Sequence, residues 1–147
     1  MLYLDRLNLT RIPTTARMVQ SLQFLSLVNN PLQYLAVGDL DFRSDLLVLG
    51  LQNTSLTTIQ AGAFERANFN DTDIGLQANR LRALPVNTFR PLLRSMADNN
   101  GVIELGGSQY FLSDFICQIW GTCGDHWEAV VSVVVGFVMK RPTTRSI

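Results

Sequence analysis

Residues 22–35 read LQFLSLVNNPLQYL and decide the fold of this chain. Their apolar residues follow the spacing L-x-x-L-x-L-x-x-N-x-L-x-x-L, with Asn30 as its polar member. In Leu25-Ser26-Leu27 the two leucines alternate with an outward residue, which is the period of a strand with one buried face. A strand this short is not stable alone, so the pattern predicts that it packs beside further copies of itself.

The pattern recurs in four other segments, at intervals of about 21–25 residues. The first copy opens at Leu2 and has Leu7 in place of the asparagine, whereas the third has Thr54 there. The fourth starts at Asp71, and we expect Phe69 to supply the missing apolar group. The fifth fits if the repeat before it is short. The recurring apolar positions are Leu2, Leu4, Leu9 and Ile12; Leu46, Leu49, Leu51, Leu56 and Ile59; Ile74, Leu76, Leu81 and Leu84; and Leu92, Ala97, Val102 and Leu105.

One position of the repeat is polar although its surroundings are apolar, and it is occupied by Asn30, Thr54, Asn79 and Asn100. The turn that follows each strand would bury backbone N–H and C=O groups without partners. An amide side chain can donate and accept hydrogen bonds at once, and the hydroxyl of Thr54 can do part of this. We therefore interpret these four residues as a structural ladder along the stack.

With these motifs the chain resembles the leucine-rich-repeat family. The resemblance implies an α/β solenoid: an arc of about five repeats with a parallel sheet on the concave face and an irregular or short helical convex side. It also implies that Leu40, Phe64 and Phe89 fill the core from the convex side. Residues 1–107 would form the repeats and residues 108–147 a C-terminal cap and apolar tail. Because a repeat opens at residue 2 without a polar cap, we expect a fragment of a longer receptor-like ectodomain.

The segment after the repeats holds both cysteines, Cys117 and Cys123, among aromatic residues and glycines. It resembles the cysteine-bearing flank that caps extracellular leucine-rich repeats, although such caps usually have four cysteines. An apolar run, Ala129 to Met139, follows; it is shorter than the roughly 20 residues that span a bilayer. The run is interpreted as a capping strand or helix, as the remnant of a membrane anchor, or as an aggregation-prone tail.

The composition offers little for catalysis or for nucleic-acid binding. Basic and acidic residues number 12 each, so no basic excess favours nucleic acid or an acidic membrane. His126 is the sole histidine. A Cys–His nucleophile or a zinc site built from it lacks supporting context and a fourth ligand, which leaves a Cys117–Cys123 disulfide as the simpler interpretation. We predict a protein that is not an enzyme and uses no metal or cofactor.

Three N-x-S/T sequons, at Asn8, Asn53 and Asn70, are candidate glycosylation sites. Together with a cysteine pair they favour an extracellular or cell-surface protein. The chain shows no signal-peptide pattern, which favours the cytoplasmic alternative.

The resemblance implies that a protein ligand or co-receptor binds the concave face. Gly50 and Gly75 would keep this face shallow, which argues against a deep small-molecule pocket. We predict a non-enzymatic interaction module of a receptor-like or adhesion-type chain; the alternatives are an intracellular scaffold or inhibitor-type repeat protein and a membrane-tethered fragment. The candidate partner-binding residues are Tyr3, Asp5, Arg6, Phe24, Gln52, Gln77, Arg94, Met96 and Asp98.

Overall fold

The computed structural model describes residues 1–65, 68–82, 85–97, 101–106, 130–132 and 136–139. These residues form a β-solenoid of about three turns, in which stacked coils carry a parallel sheet and little helix. The solenoid and the parallel sheet that the leucine spacing predicts are therefore confirmed.

Each coil contributes one or two short strands. In chain order the elements are β1 (Leu2–Tyr3), a 3-10 helix (Thr14–Met18), β2 (Phe24–Ser26), β3 (Tyr34–Leu35), β4 (Val48–Gly50), β5 (Thr58–Ile59), β6 (Asp73–Gly75), α1 (Val86–Ala97), β7 (Val102–Glu104), β8 (Val130–Ser132) and β9 (Gly136–Met139). The strands β1, β2, β4, β6 and β7 pair in parallel in that order. A second parallel sheet joins β3 to β5.

The register of the main sheet follows the leucine repeat. Leu25 pairs with Leu2 on one side and with Leu49 on the other, and Leu49 pairs with Ile74, so the successive coils have 23, 24 and 25 residues. All the leucines at these inward positions from β2 to β6 are buried in one continuous cluster. Phe64 and Phe89 are also buried, as predicted, and their rings contact each other with centroids 5.7 Å apart.

Two buried asparagines, Asn30 and Asn79, each join their own coil to the one before it. Asn30 accepts hydrogen bonds at Oδ1 from the backbone N–H groups of Leu7 and Leu9, both at 3.0 Å. Its Nδ2 donates to the carbonyl oxygens of Leu4 and Leu27, at 2.7 and 2.8 Å. Asn30 therefore supplies hydrogen bonds to the backbone of the preceding turn as well as to its own coil. Because the turn at Leu7 receives its hydrogen bonds from Asn30, leucine is tolerated at the polar position of the first repeat.

Asn79 lies one coil after Thr54 and makes the same set of hydrogen bonds to the turn that contains Thr54. Its Oδ1 accepts from the N–H groups of Thr54 and Leu56, both at 3.0 Å. Its Nδ2 donates to Leu51 and Leu76 carbonyls at 2.7 and 3.0 Å. The Thr54 hydroxyl lies 2.9 Å from the carbonyl oxygen of Leu51. Asn30, Thr54 and Asn79 thus lie in the interior turns, whereas Asn100 is outside the described residues.

The prediction for the fifth repeat is wrong. Ile103 of β7, and not a residue near position 95, pairs with Ile74, so this coil has 29 residues instead of 21. The added length is α1, whose buried residues Phe89, Leu92 and Leu93 follow the i, i+3, i+4 spacing of a helix face.

Two predicted partner-binding residues are misplaced by that error. Arg94 and Met96 lie within α1 and not on a strand of the sheet. The outward position assigned to Met96 belongs to Glu104, which pairs with Gly75. Asp98 is outside the described residues.

Two strands lie in the apolar run near the C-terminus. β9 pairs antiparallel with β7, and β8 pairs antiparallel with β9, so they extend the sheet beyond its last parallel strand. The described residues of this run, 130–132 and 136–139, are therefore strands. Cys117, Cys123 and His126 fall outside the described residues. In the part of the chain that is described, no helix has the length and apolar character needed to cross a bilayer.

Candidate interaction face

The outward side of the main parallel sheet, which we call the sheet face, carries most of the predicted site residues. Side chains alternate along a strand, so the residues between the buried leucines line this face in columns across the strands. From β1 to β7 the columns are Phe24, Val48, Asp73 and Val102; Tyr3, Ser26, Gly50, Gly75 and Glu104; and Asp5, Val28, Gln52 and Gln77.

An aromatic pair occupies the β1–β2 end of the sheet face. The rings of Tyr3 and Phe24 are tilted by 45° with centroids 4.9 Å apart, which is a favourable contact geometry. Tyr3 remains 61% exposed although it is a large amphipathic side chain, and Phe24 is half-buried beside it. The structure thus brings together two residues that the sequence proposed separately, and together they present an apolar surface to solvent.

Asp5 is a strand-to-strand contact rather than a free charge. Its Oδ1 accepts from the hydroxyl of Ser26 at 2.5 Å and from the N–H of Val28 at 2.9 Å. Both bonds hold the first coil against the second. Arg6 follows in the turn, exposed and with a φ of 56°. Asp5 therefore stabilises the contact between two coils, a role that the sequence did not predict.

Two glycines keep the centre of the sheet face flat. A Cβ on Gly50 would lie 3.1 Å from Oε1 of Gln52, and one on Gly75 would overlap the Gln52 amide. The Gln52 side chain therefore lies across both glycines. Gln77 donates from Nε2 to the carboxylate of Glu104 on the next strand. The result is a shallow floor with aromatic residues at one end and Glu104 at the other.

Two acceptors in this floor are unsatisfied. Among the described residues, the Oε1 atoms of Gln52 and Gln77 are buried and have no hydrogen-bond partner. A buried acceptor without a partner costs about 1–3 kcal/mol, so a donor from a bound molecule would be favourable here.

We predict that Gly75→Ala changes the sheet face without damaging the fold. The clash is with the far end of a flexible side chain, so the Gln52 amide moves aside and the free energy of unfolding shifts by less than about 1 kcal/mol. Urea denaturation would measure the stability, and the side-chain amide NMR signals of Gln52 would report the displacement. Gly62→Ala is the control: Gly62 has a φ of 83°, so this variant is expected to lose more stability. Equal losses in the two variants would contradict the prediction.

The sequons differ in their surroundings. Asn8 and Asn53 are exposed, whereas Asn70 is half-buried. The Nδ2 of Asn53 donates to Oδ1 of Asn29 at 2.6 Å, and the Thr72 hydroxyl of the third sequon is buried against the carbonyl of Leu46. Glycosylation at Asn53 would replace the bond to Asn29. Glycosylation and an extracellular location stay predictions.

Within the described ranges, no three His, Cys, Asp or Glu side chains are grouped as metal ligands. In comparisons with known proteins, no family model, no curated protein and no solved structure matches the chain.

Proposed function

We propose that the chain is a non-enzymatic interaction module that binds a protein partner through the sheet face. The observation that carries the proposal is the exposed Tyr3–Phe24 pair on a flat sheet surface. Interface anchors are enriched in aromatic residues because they bury a large area with few torsions to fix. The shallow floor around Gly50 and Gly75 suits a broad protein surface better than an enclosed small ligand.

We further propose that the coils belong to an arc of leucine-rich-repeat type, in which the sheet face is the concave side. Support comes from the coil lengths of 23 to 25 residues and from the asparagines buried in the turns. Five parallel strands in one register would count as five repeats, the last of them lengthened by α1. In such an arc the chain serves as part of a receptor-like or adhesion-type protein.

Site-specific photocrosslinking would test the binding proposal. A benzophenone amino acid would replace either Tyr3, on the sheet face, or Tyr34, which is 40% exposed on the second sheet. We expect the protein to capture a partner from the cells that produce it through position 3 and not through position 34. An adduct pattern that is the same at both positions, or no adduct at position 3, would contradict the proposal.

The double variant Tyr3→Ser/Phe24→Ser is expected to weaken binding of the captured partner by about tenfold or more. The reason is that it removes the whole aromatic anchor. Surface plasmon resonance with the purified partner would measure the change. A circular-dichroism melt would show that the sheet is retained, since Tyr3 is exposed and Phe24 only half-buried. Binding at wild-type strength by a folded double variant would place the partner on another surface.

A further inference from the structure

The sheet face is chemically asymmetric from one edge to the other. Tyr3 and Phe24 lie on β1 and β2, whereas the exposed carboxylates of Asp73 and Glu104 lie on β6 and β7. The three columns of the face contain no lysine or arginine. A partner that covers the whole face must therefore satisfy an apolar surface at one end and negative charge at the other.

The acidic end is organised by its neighbours. Asp73 pairs with Val102, and Glu104 pairs with Gly75, so the two carboxylates occupy diagonal positions on adjacent strands. Such diagonal positions are roughly 7–8 Å apart between backbones, close enough for both side chains to contact one cation. Gln77 donates to Glu104 and fixes its carboxylate on the face.

The floor between the two ends admits a polypeptide backbone. With glycine at positions 50 and 75, the side chain of Gln52 lies flat between the strands. The buried Oε1 atoms of Gln52 and Gln77 have no partner within the described residues. Rotation of the Gln52 amide would turn its oxygen toward the N–H groups of a bound chain while Gln77 keeps its bond to Glu104, so the Gln52 oxygen is a second, independent indication of a polar ligand.

We infer that the partner contributes an extended segment whose large apolar side chain packs on Tyr3 and Phe24 and whose lysine or arginine contacts Asp73 and Glu104. This inference rests on the proposed function and names the class of partner. Opposite charge gives such a contact its register and its direction across the strands.

The distance between the two ends sets the spacing in the segment. Glu104 is three strands away from Phe24, or roughly 14 Å at about 4.8 Å per strand. An extended chain advances about 3.3 Å per residue, and its side chains at i and i+4 project to the same side roughly 13 Å apart. The apolar and the basic residue should therefore be four positions apart.

A phage library of random 12-residue peptides, selected on the whole chain, would test the inference. We expect the enriched peptides to pair a large apolar residue with Lys or Arg four positions away. Fluorescence polarisation with the synthetic peptides should show binding about fivefold weaker, or worse, in Asp73→Asn/Glu104→Gln, and weaker again at high salt. The matched control is Asp41→Asn/Glu65→Gln, which removes the same charge from exposed positions outside the sheet face and should leave binding unchanged.

The outcomes separate the inference from the function on which it rests. Enriched peptides that lack basic residues, but lose binding in Tyr3→Ser/Phe24→Ser, would overturn the inference and leave the sheet face as the binding surface. Peptides whose binding is unchanged in both double variants would overturn the inference and also count against the proposed function. A library without enrichment would overturn the inference, and crosslinking from position 3 would then decide the proposed function alone.

Discussion

Leu51→Ala is expected to lower the free energy of unfolding by roughly 2–5 kcal/mol. Leu51 is fully buried and lies between Leu27 and Leu76 in the central column of the stack. Its N–H donates to the carbonyl of Gly75 at 2.8 Å, and this backbone bond survives the substitution. Backbone hydrogen bonds between the strands hold the neighbouring coils at their spacing, so the cavity cannot collapse. The loss of stability should therefore fall in the upper half of that range.

Leu47→Ala is the matched control for this variant. Leu47 belongs to the same coil but is 48% exposed, so its truncation is expected to change stability by about 0.5 kcal/mol or less. Urea denaturation followed by circular dichroism would measure both. If the two variants lose the same stability, Leu51 is not an inward position and the register of the stack is wrong.

The regular coils were predictable because every coil must bury apolar side chains at the same positions of its strand. Leu25, Leu49 and Ile74 must all be buried at the same place in successive strands, and a fixed spacing in the sequence is the direct result. The fifth coil breaks this rule. There the apolar residues Phe89, Leu92 and Leu93 follow a helical period. Because Leu92 also fits the leucine spacing, that spacing wrongly predicts a repeat within the helix.

The polar turn residues were predictable by type but not by partner. An asparagine among apolar residues must find hydrogen bonds, so its burial follows from its surroundings. That Asn30 bonds Leu7 and Leu9 depends on how two coils stack, and these partners are more than 20 residues away in the sequence. The same is true of Asp5, whose bonds to Ser26 and Val28 give it a structural role that its place in the repeat does not reveal.

The sheet face itself was only partly predictable. Alternation along the strand gives the outward direction of Tyr3, Gln52 and Gln77. It does not give the ring contact between Tyr3 and Phe24, because that contact is diagonal between two strands. Glu104 was missed altogether, since its position depends on the length of the helical coil before it.

Asn79→Ala is expected to destabilise the protein by at least about 3 kcal/mol. The variant leaves the N–H groups of Thr54 and Leu56 and the carbonyls of Leu51 and Leu76 without the side chain that bonds them. All lie in the interior of the turn, where Thr54 is fully buried, so water cannot readily replace the amide. Thermal and urea denaturation of the variant would measure the loss.

Two further variants isolate the cause of that loss. Asn53→Ala removes an exposed amide whose bond to Asn29 is on the surface. Because Asn53 has a φ of 52°, which alanine adopts less readily than asparagine, its expected cost is about 1–2 kcal/mol, still below that of Asn79→Ala. Asn79→Asp keeps an acceptor for the two N–H groups but loses the two donated bonds and places a charge in the interior, so it should also be strongly destabilised. If Asn79→Ala is no less stable than Asn53→Ala, the coils are held together by their leucine columns and strand ladder alone. If Asn79→Ala and Asn79→Asp are both far less stable than Asn53→Ala, the buried amide is the part of the repeat that joins one coil to the next.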